Sequence, residues 1–478
     1  MGENQSEKSP LCVDLDGTLI KTDLLWESLL ALLKQNPLSI FLLPFWLLKG
    51  RACLKHEIAQ RVMLDASTLP YDQELVEFLS KERLSGRELI LATASHVSFA
   101  QMVAAHLGLF DGRVFGSDSC VNLKGARKVA LLVEHYGTRR FAYAGNSTAD
   151  FPVWAEASEA IVVNASAGVA SRARTLTTVS RIFSSPVSLV KQVAKALRVH
   201  QWSKNVLVFV PVVASHQLAN GRLLLQASLA FLSFSLCASS VYIINDCLDL
   251  ESDRRHPRKR NRPFASGSLS IPFGLALAAV CLIGGVLLAF ALPSAFFLVL
   301  GGYLALTTGY SFYLKQFVRR DVIVLAQLYT VRVYGGGAAT GVSPSHWLLT
   351  FSLFLFLSLA LVKRFTELRL MSQVEGKVLH GRGYWVTDLE HISSIGTASG
   401  LLAVLVLALY ISSKEVLLLY SHAEILWLVC PVMLYWISRV WMLAYRNRMD
   451  DDPVVFAVKD PKSYAMAAII AAILFFAK

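Results

Sequence analysis

Acidic residues are scarce in this chain: 34 Asp and Glu stand against 46 Lys and Arg in 478 residues, and charged residues make up only 17% of the total. With 54% hydrophobic residues, so little charge excludes a protein that is soluble throughout. Seven cysteines (Cys12, Cys53, Cys120, Cys237, Cys247, Cys281, Cys430) include no C-x-x-C pair and no metal-ligand cluster. Thiols on a reduced cytosolic face or facing lipid account for them. No cleavable signal peptide is expected, because Met1 to Pro10 is polar, and Gly2 with Ser6 matches the myristoylation pattern only weakly. The net charge of +12 does not indicate nucleic acid, since the basic residues fall in short connections between apolar runs.

The apolar excess is uneven. Residues 1–185 read as a mixed soluble domain, and 186–478 as a polytopic membrane domain whose apolar runs are long enough to span a bilayer. Nine spans are expected, at about 204–219, 223–244, 271–291, 295–313, 322–341, 346–363, 392–412, 424–445 and 463–477. Connections after even-numbered spans carry Arg254 to Arg262, Lys315 with Arg319 and Arg320, Lys363 to Arg382, and Arg446 to Lys462. Those after odd-numbered spans carry little beyond Arg222 and Lys414, which places the amino-terminal domain and the even connections in the cytoplasm.

One polar stretch, Asn245 to Gly267, closes a long apolar run. Asp246, Asp249 and Asp253 are spaced i, i+3, i+7, which on one helix brings them within about 60° of each other. Carboxylates so arranged suit Mg2+, which shares its shell with substrate phosphates. A solvated helix end with a topogenic basic loop leaves that spacing unexplained. A second group, Tyr310, Lys315 and Asp321, falls on the same predicted side, with Arg332 about 20° from Asp321 on a helix. An arginine so deep in a membrane helix points toward an anion or an internal aspartate. Arg198, Lys204 and Asn205 at the entry to the first span, and Lys363 and Arg364 at the exit of the sixth, complete four polar clusters on one face.

In the soluble domain, Leu11 to Val13 reads as a buried strand running into D-L-D-G-T-L, a carboxylate at a strand end with a second two residues on. Thr93 ends a strand-like run, Lys124 and Lys128 follow, and Phe141 to Ala144 leads into G-N-S-T-A-D, Gly145 to Asp150. These groups are expected at one edge of a parallel sheet. An insertion over 23–61 contains Pro37 to Gly50, too short and too broken by Pro44 to span, and suited either to the membrane interface through Trp46, Lys49 and Arg51 or to a buried cap.

The D-x-D-G-T start with the ordered Thr, Lys and Asp resembles the haloacid dehalogenase superfamily over most of 10–175, which implies a Rossmann-like α/β domain. That resemblance makes Asp14 the nucleophile, Asp16 the general acid/base, Thr93 and Lys128 phosphate holders, and Asp14, Asp16 and Asp150 the Mg2+ side. Position 146 is Asn where the family usually has Asp, and a neutral amide holds Mg2+ more weakly.

N-D-x-x-D-x-x-x-D, Y-x-x-x-x-K-x-x-x-x-x-D and the nine spans resemble the UbiA superfamily of intramembrane prenyltransferases across 186–478. R-V-H-Q-W-S-K-N, H-P-x-K-x-x-R-P-F-A-S-G, K-R-F-T-E-L and D-P-V-V-F-A-V-K-D, Asp452 to Asp460, look like the decaprenyl-phosphate phosphoribosyltransferase branch. The resemblance implies transfer of phosphoribose from phosphoribosyl diphosphate to a polyprenyl phosphate in a bacterial plasma membrane, toward a cell-envelope arabinose donor. By it Asp246, Asp249, Asp253 and Asp321 hold the diphosphate through Mg2+. Asn245, Arg198, Lys204, Asn205, Lys259, Arg262, Tyr310, Lys315, Arg332, Lys363 and Arg364 contact substrates. Two alternatives remain: an aromatic prenyltransferase, and a transporter or lipid-binding scaffold carrying a regulatory phosphatase. Oligomeric state is not legible in the sequence.

Overall fold

The computed structural model describes residues 8–110, 112–184, 188–371, 383–413, 416, 419–449 and 453–478. The expectations at Gly2 and Ser6, and those that rest on 372–382, Lys414 and Asp452, lie outside them. The chain forms two compact units, one of residues up to Ala196 together with Ile243–Leu277, the other of Leu197–Tyr242 with Ala278–Lys478.

The first unit holds a six-stranded sheet: β1 (Leu11–Val13), β2 (Leu89–His96), β3 (Val114–Ser117), β4 (Ala142–Gly145), β5 (Glu159–Val163) and β6 (Thr178–Phe183), in the order β3-β2-β1-β4-β5-β6. Every pairing is parallel, with Cys12 opposite Ile90 on one side and Tyr143 on the other. A strand covered on both faces must be apolar throughout, and Leu11, Cys12 and Val13 are fully buried. β1 lies between β2 and β4, so the crevice at its carboxyl end is where chain order reverses and where ligands of such sheets bind. Asp14 follows β1, Thr93 lies within β2, and Asn146 follows β4. Gly17 (φ +74°) lies beneath Asn146, whose Nδ2 would be 2.1 Å from a Cβ there.

The insertion after β1 is helical. Helix α1 (Leu24–Gln35) starts at Asp23, whose carboxylate accepts from Leu25 N. A 3-10 turn (Pro37–Phe41), α2 (Leu43–Leu48) and α3 (Arg51–Ala59) follow, around a small core of Leu32, Trp46, Ile58 and Val62. Trp46 therefore faces inward, with Arg61 over its ring at 4.8 Å, so that of the two expectations for the insertion its indole follows the buried cap and not the interface: packing against Ile58 and Val62 claims it.

Seven helices among the described residues are long and apolar enough to cross a membrane: Gly221–Leu248, Ile271–Phe290, Ser294–Phe312, Arg320–Thr340, His346–Leu370, Val386–Ile411 and Ala423–Tyr445. Pro461–Ala477 is a shorter apolar helix. The stretch expected as the first span is instead a 3-10 helix, Val199–Phe209, followed by Val210–Ala214, where Pro211 removes a backbone donor. In the second unit, small residues bring helices together: a Cβ on Gly336 would meet Val208 O at 2.0 Å, and one on Gly396 would meet Trp441 at 2.2 Å.

Candidate active sites

At the crevice beside β1, Lys128 Nζ donates to Asp14 Oδ1 (2.9 Å) and to the Tyr143 hydroxyl (2.8 Å), which donates to Asp150 Oδ1 (3.1 Å). Asp150 Oδ2 accepts from the backbone N–H of Asn146 and of Ser147, both at 3.0 Å, and from Ser147 Oγ. Both its oxygens are thus engaged, and it acts as the last member of a capping box. Asp16 Oδ1 accepts from Leu24 N (2.9 Å) and Oδ2 from Ser95 Oγ (2.6 Å), while Thr93 Oγ1 accepts from Ser95 N. Burial raises the Asp14 carboxyl to about 6 against the lowering by Lys128. Burial, with Asp23 nearby, raises Asp16 to about 7. An acid that titrates near neutrality is suited to proton transfer.

Sequence reasoning did not single out Ser95, Tyr143, Lys55, His56 or His96. From α3, Lys55 Nζ donates to Ala94 O (2.5 Å) and to Asn122 Oδ1 (3.0 Å), and His56 Nδ1 lies 3.1 Å from His96 Nε2. No short motif marks Lys55 and His56, which only the fold of the insertion carries to the crevice, whereas Ser95 and His96 sit on β2 and Tyr143 on β4.

The aspartate stretch belongs to the same unit. The helix does not run through it: Gly221–Leu248 ends, Asp249 turns (φ −102°, ψ 17°), and a new helix covers Leu250–Arg255. Lys34 Nζ donates to Leu248 O (3.0 Å), a carbonyl at the break, and to Asp249 Oδ1 (2.8 Å). The single carboxylate face expected from the spacing is thereby split. Asp246 and Asp253, both buried, are bridged by Arg262 Nη1 at 3.0 and 2.6 Å, whereas Asp249 turns to Lys34. Burial, opposed by Arg262, raises the Asp253 carboxyl. Arg254 donates to both Glu27 oxygens (2.9 and 2.5 Å) and to Ala265 O (2.8 Å). Arg255 pairs with Asp65 at 2.9 Å, and Lys195 donates to Asn261 O. Gly267 (φ +72°) packs on Lys21, whose Cβ and O would both lie 2.5 Å from a Cβ there. Lys259 opens a 3-10 turn to Asn261, and Asn245 is half-buried in the last turns of Gly221–Leu248.

In the second unit, Asp321 is fully buried, accepting two bonds from Arg364 and one from the Tyr310 hydroxyl (2.7 Å). Arg364 also reaches Glu367 at 2.5 Å. The aspartate expected on a metal and the arginine expected on a substrate are therefore paired with each other. Arg332 is not paired with an aspartate: it donates to Asn205 Oδ1 (2.6 Å), the Tyr303 hydroxyl (3.0 Å) and Leu328 O, three neutral oxygens. Asn205 is held in turn by its bond to Ser235 Oγ. Lys204 lies over the Tyr329 ring at 5.7 Å and Arg198 over Tyr242 at 4.9 Å, while Lys315 and Lys363 are half-buried. Among the described residues no group of three His, Cys, Asp or Glu converges into a metal site.

Residues 206–474 match the UbiA prenyltransferase family, and 11–154 match the haloacid dehalogenase-like hydrolases. The chain belongs to the UbiA prenyltransferase family, with an amino-terminal haloacid dehalogenase-like domain. This UbiA member is 38% identical over 97% of its length to the uncharacterized protein y4nM of Sinorhizobium fredii, covering 90% of that chain. It is 39% identical to decaprenyl-phosphate phosphoribosyltransferase of Mycobacterium tuberculosis, over 39% of this chain and 63% of that one. The corresponding enzyme of Corynebacterium glutamicum is 35% identical over 40% and 59%. A UbiA homologue from Archaeoglobus fulgidus, solved with GPP and Mg2+, aligns over 60% of this chain and 99% of its own with a TM-score of 0.46 and 16% identity. The apolar helices make this family member an integral membrane protein.

Proposed function

We propose that the protein transfers 5-phosphoribose from phosphoribosyl diphosphate to a polyprenyl phosphate, and that its amino-terminal domain then removes the 5-phosphate from the lipid-linked product. Both reactions take place on the cytoplasmic face of a bacterial plasma membrane. The observation that carries the transfer is Arg332, a buried guanidinium whose partners are all neutral, so that its charge is best balanced by a substrate phosphate. The similarity to two decaprenyl-phosphate phosphoribosyltransferases supports a phosphoribosyl donor.

The donor sets suit Mg2+, since they consist of hard carboxylate oxygens alone. Asp246, Asp249 and Asp253 would hold it for transfer, and Asp14 and Asp16, with Asp150 alongside, for hydrolysis. When bound it stabilises negative charge on phosphate oxygens. The rest falls to side chains. In transfer, diphosphate departs from the anomeric carbon with the bonding pair, and an oxygen of the lipid phosphate bonds to that carbon. The acceptor is already an anion, so no base is required. Arg332 and Lys315 bind donor phosphates, and Arg198, Lys204 and Lys363 bind the 5-phosphate or the lipid phosphate. Arg364 with Tyr310 fixes the Asp321 carboxylate, and Arg262 and Lys259 screen the aspartate stretch. In hydrolysis, Asp14 attacks phosphorus, Asp16 gives its proton to the leaving sugar oxygen, and Asp16 then takes one from the water that cleaves the aspartyl phosphate. Lys128 and Thr93 hold the phosphoryl group.

The test follows label from phosphoribosyl diphosphate into lipid and reads product mass. Wild type should yield ribosyl lipid, and Asp14→Asn should accumulate phosphoribosyl lipid. Absence of label from lipid refutes the transfer, and identical products refute the hydrolysis.

A further inference from the structure

The insertion over 23–61 exposes an apolar face that its own core does not use. Trp46 and Ser39 turn inward, whereas Leu38, Phe41, Phe45 and Leu48 are 71%, 69%, 64% and 86% exposed, with Ile40 and Leu47 beside them. These residues lie within Pro37–Leu48, at most roughly 18 Å of helix against a hydrocarbon core of roughly 30 Å, so the segment cannot span. A contiguous patch of this kind on a soluble-type domain marks an interaction surface. Its charge identifies the partner. From Ser28 to His56 there is no acidic residue, and the cations at the end of the hairpin, Lys49 and Arg51, are exposed. Apolar side chains beside cations match an anionic bilayer surface, where the former enter the acyl boundary and the latter meet headgroup phosphates. The rest of the chain crosses a membrane, so such a surface is always within reach.

We propose that the Pro37–Leu48 hairpin dips into the anionic membrane surface and makes the haloacid dehalogenase-like site selective for phosphomonoesters carried on lipid. The link to the site is α3. It leaves the hairpin at Gly50 and carries Lys55 to Ala94 O, between Thr93 and Ser95, and His56 to His96. A hairpin anchored in the headgroup layer holds these groups beside the membrane, where a lipid-linked sugar phosphate is presented. The selectivity rests on the hydrolytic reading above; the membrane contact does not.

The experiment uses the full chain in vesicles of phosphatidylglycerol and phosphatidylethanolamine, with Cys53 and Cys120 replaced by serine because the other five cysteines are buried. A bimane probe is placed at Phe45→Cys, at Leu48→Cys, or at Met63→Cys, a 95% exposed control. Spin-labelled acyl chains should quench the two hairpin probes at least twofold and spare the control, with aqueous iodide giving the reverse. Hairpin probes quenched by iodide like the control, or shielded from both agents as beneath a protein partner, overturn the membrane contact. In the second arm, Phe45→Glu with Leu48→Glu should lower the ratio of hydrolysis of a lipid-linked phosphomonoester to that of p-nitrophenyl phosphate tenfold or more. An unchanged ratio overturns the selectivity, whereas a wild type that cleaves neither ester refutes the hydrolytic reading and leaves the quenching result to decide the contact.

Discussion

Glu27 on α1 and Arg254 in the aspartate stretch form a two-pronged ion pair with both side chains nearly buried, at 6% and 7% exposure. Replacing Glu27 with Ala strands the guanidinium, and a buried pair broken on one side costs about 3–5 kcal/mol. Arg254→Ala strands the carboxylate and also removes the donor to Ala265 O, adding about 1 kcal/mol for that hydrogen bond. Replacing both by apolar residues of similar length, Glu27→Leu with Arg254→Met, leaves no charge stranded and should come within about 2 kcal/mol of wild type. The effect is local, so hydrogen exchange of the full chain in detergent reads it. Arg262, Ser266, Gly267 and Leu269 donate backbone bonds to Lys259, Arg262, Phe264 and Pro263, and their amides report on the stretch. At 1.36 kcal/mol per decade, Glu27→Ala should lower protection there by about two to three and a half orders of magnitude, up to the limit of the wild type's own local opening. Protection in Ala126–Tyr136 should be unchanged. Equal loss in both segments, or none in the aspartate stretch, refutes the reasoning.

Three further outcomes are expected. Asp249→Asn should lower phosphoribosyl transfer by about two orders of magnitude, as for loss of a principal charge stabiliser, and chelation should abolish transfer; full activity in EDTA would end the reading. Asp16 has its carboxyl raised from 3.8 to about 7 by burial, so the folded domain binds an extra proton between those values and loses stability as pH rises through that window. In chelator, Asp16→Asn should therefore melt a few degrees higher than wild type at pH 8 and no higher at pH 4; the opposite order refutes the sign. On intact cells, a membrane-impermeant thiol reagent should label Ser413→Cys and spare Arg260→Cys, and the reverse pattern would place the aspartate stretch outside.

Much of this protein was written locally. Buried strands need continuous apolar runs, so Leu11 to Val13 and the runs near Leu89 and Phe141 announced the parallel sheet, and Asp14, Thr93, Lys128 and Asp150 followed them in order. Membrane helices must satisfy their backbone internally and meet lipid outside, so length and hydropathy alone located Ile271–Phe290 and its companions. Partnership was another matter, because a charge chooses its counter-ion in space and not along the chain. Spacing put Asp246, Asp249 and Asp253 on one face, but tertiary structure divided them between Arg262 and Lys34. It likewise gave Asp321 to Arg364 and left Arg332 to neutral oxygens. The assignment of Ile243–Leu277 to the amino-terminal unit was equally invisible, for it goes with long-range encounters such as that of Glu27 with Arg254 across 227 residues. No periodicity or motif encodes an encounter of that separation; it exists only once the intervening sheet and helices have folded.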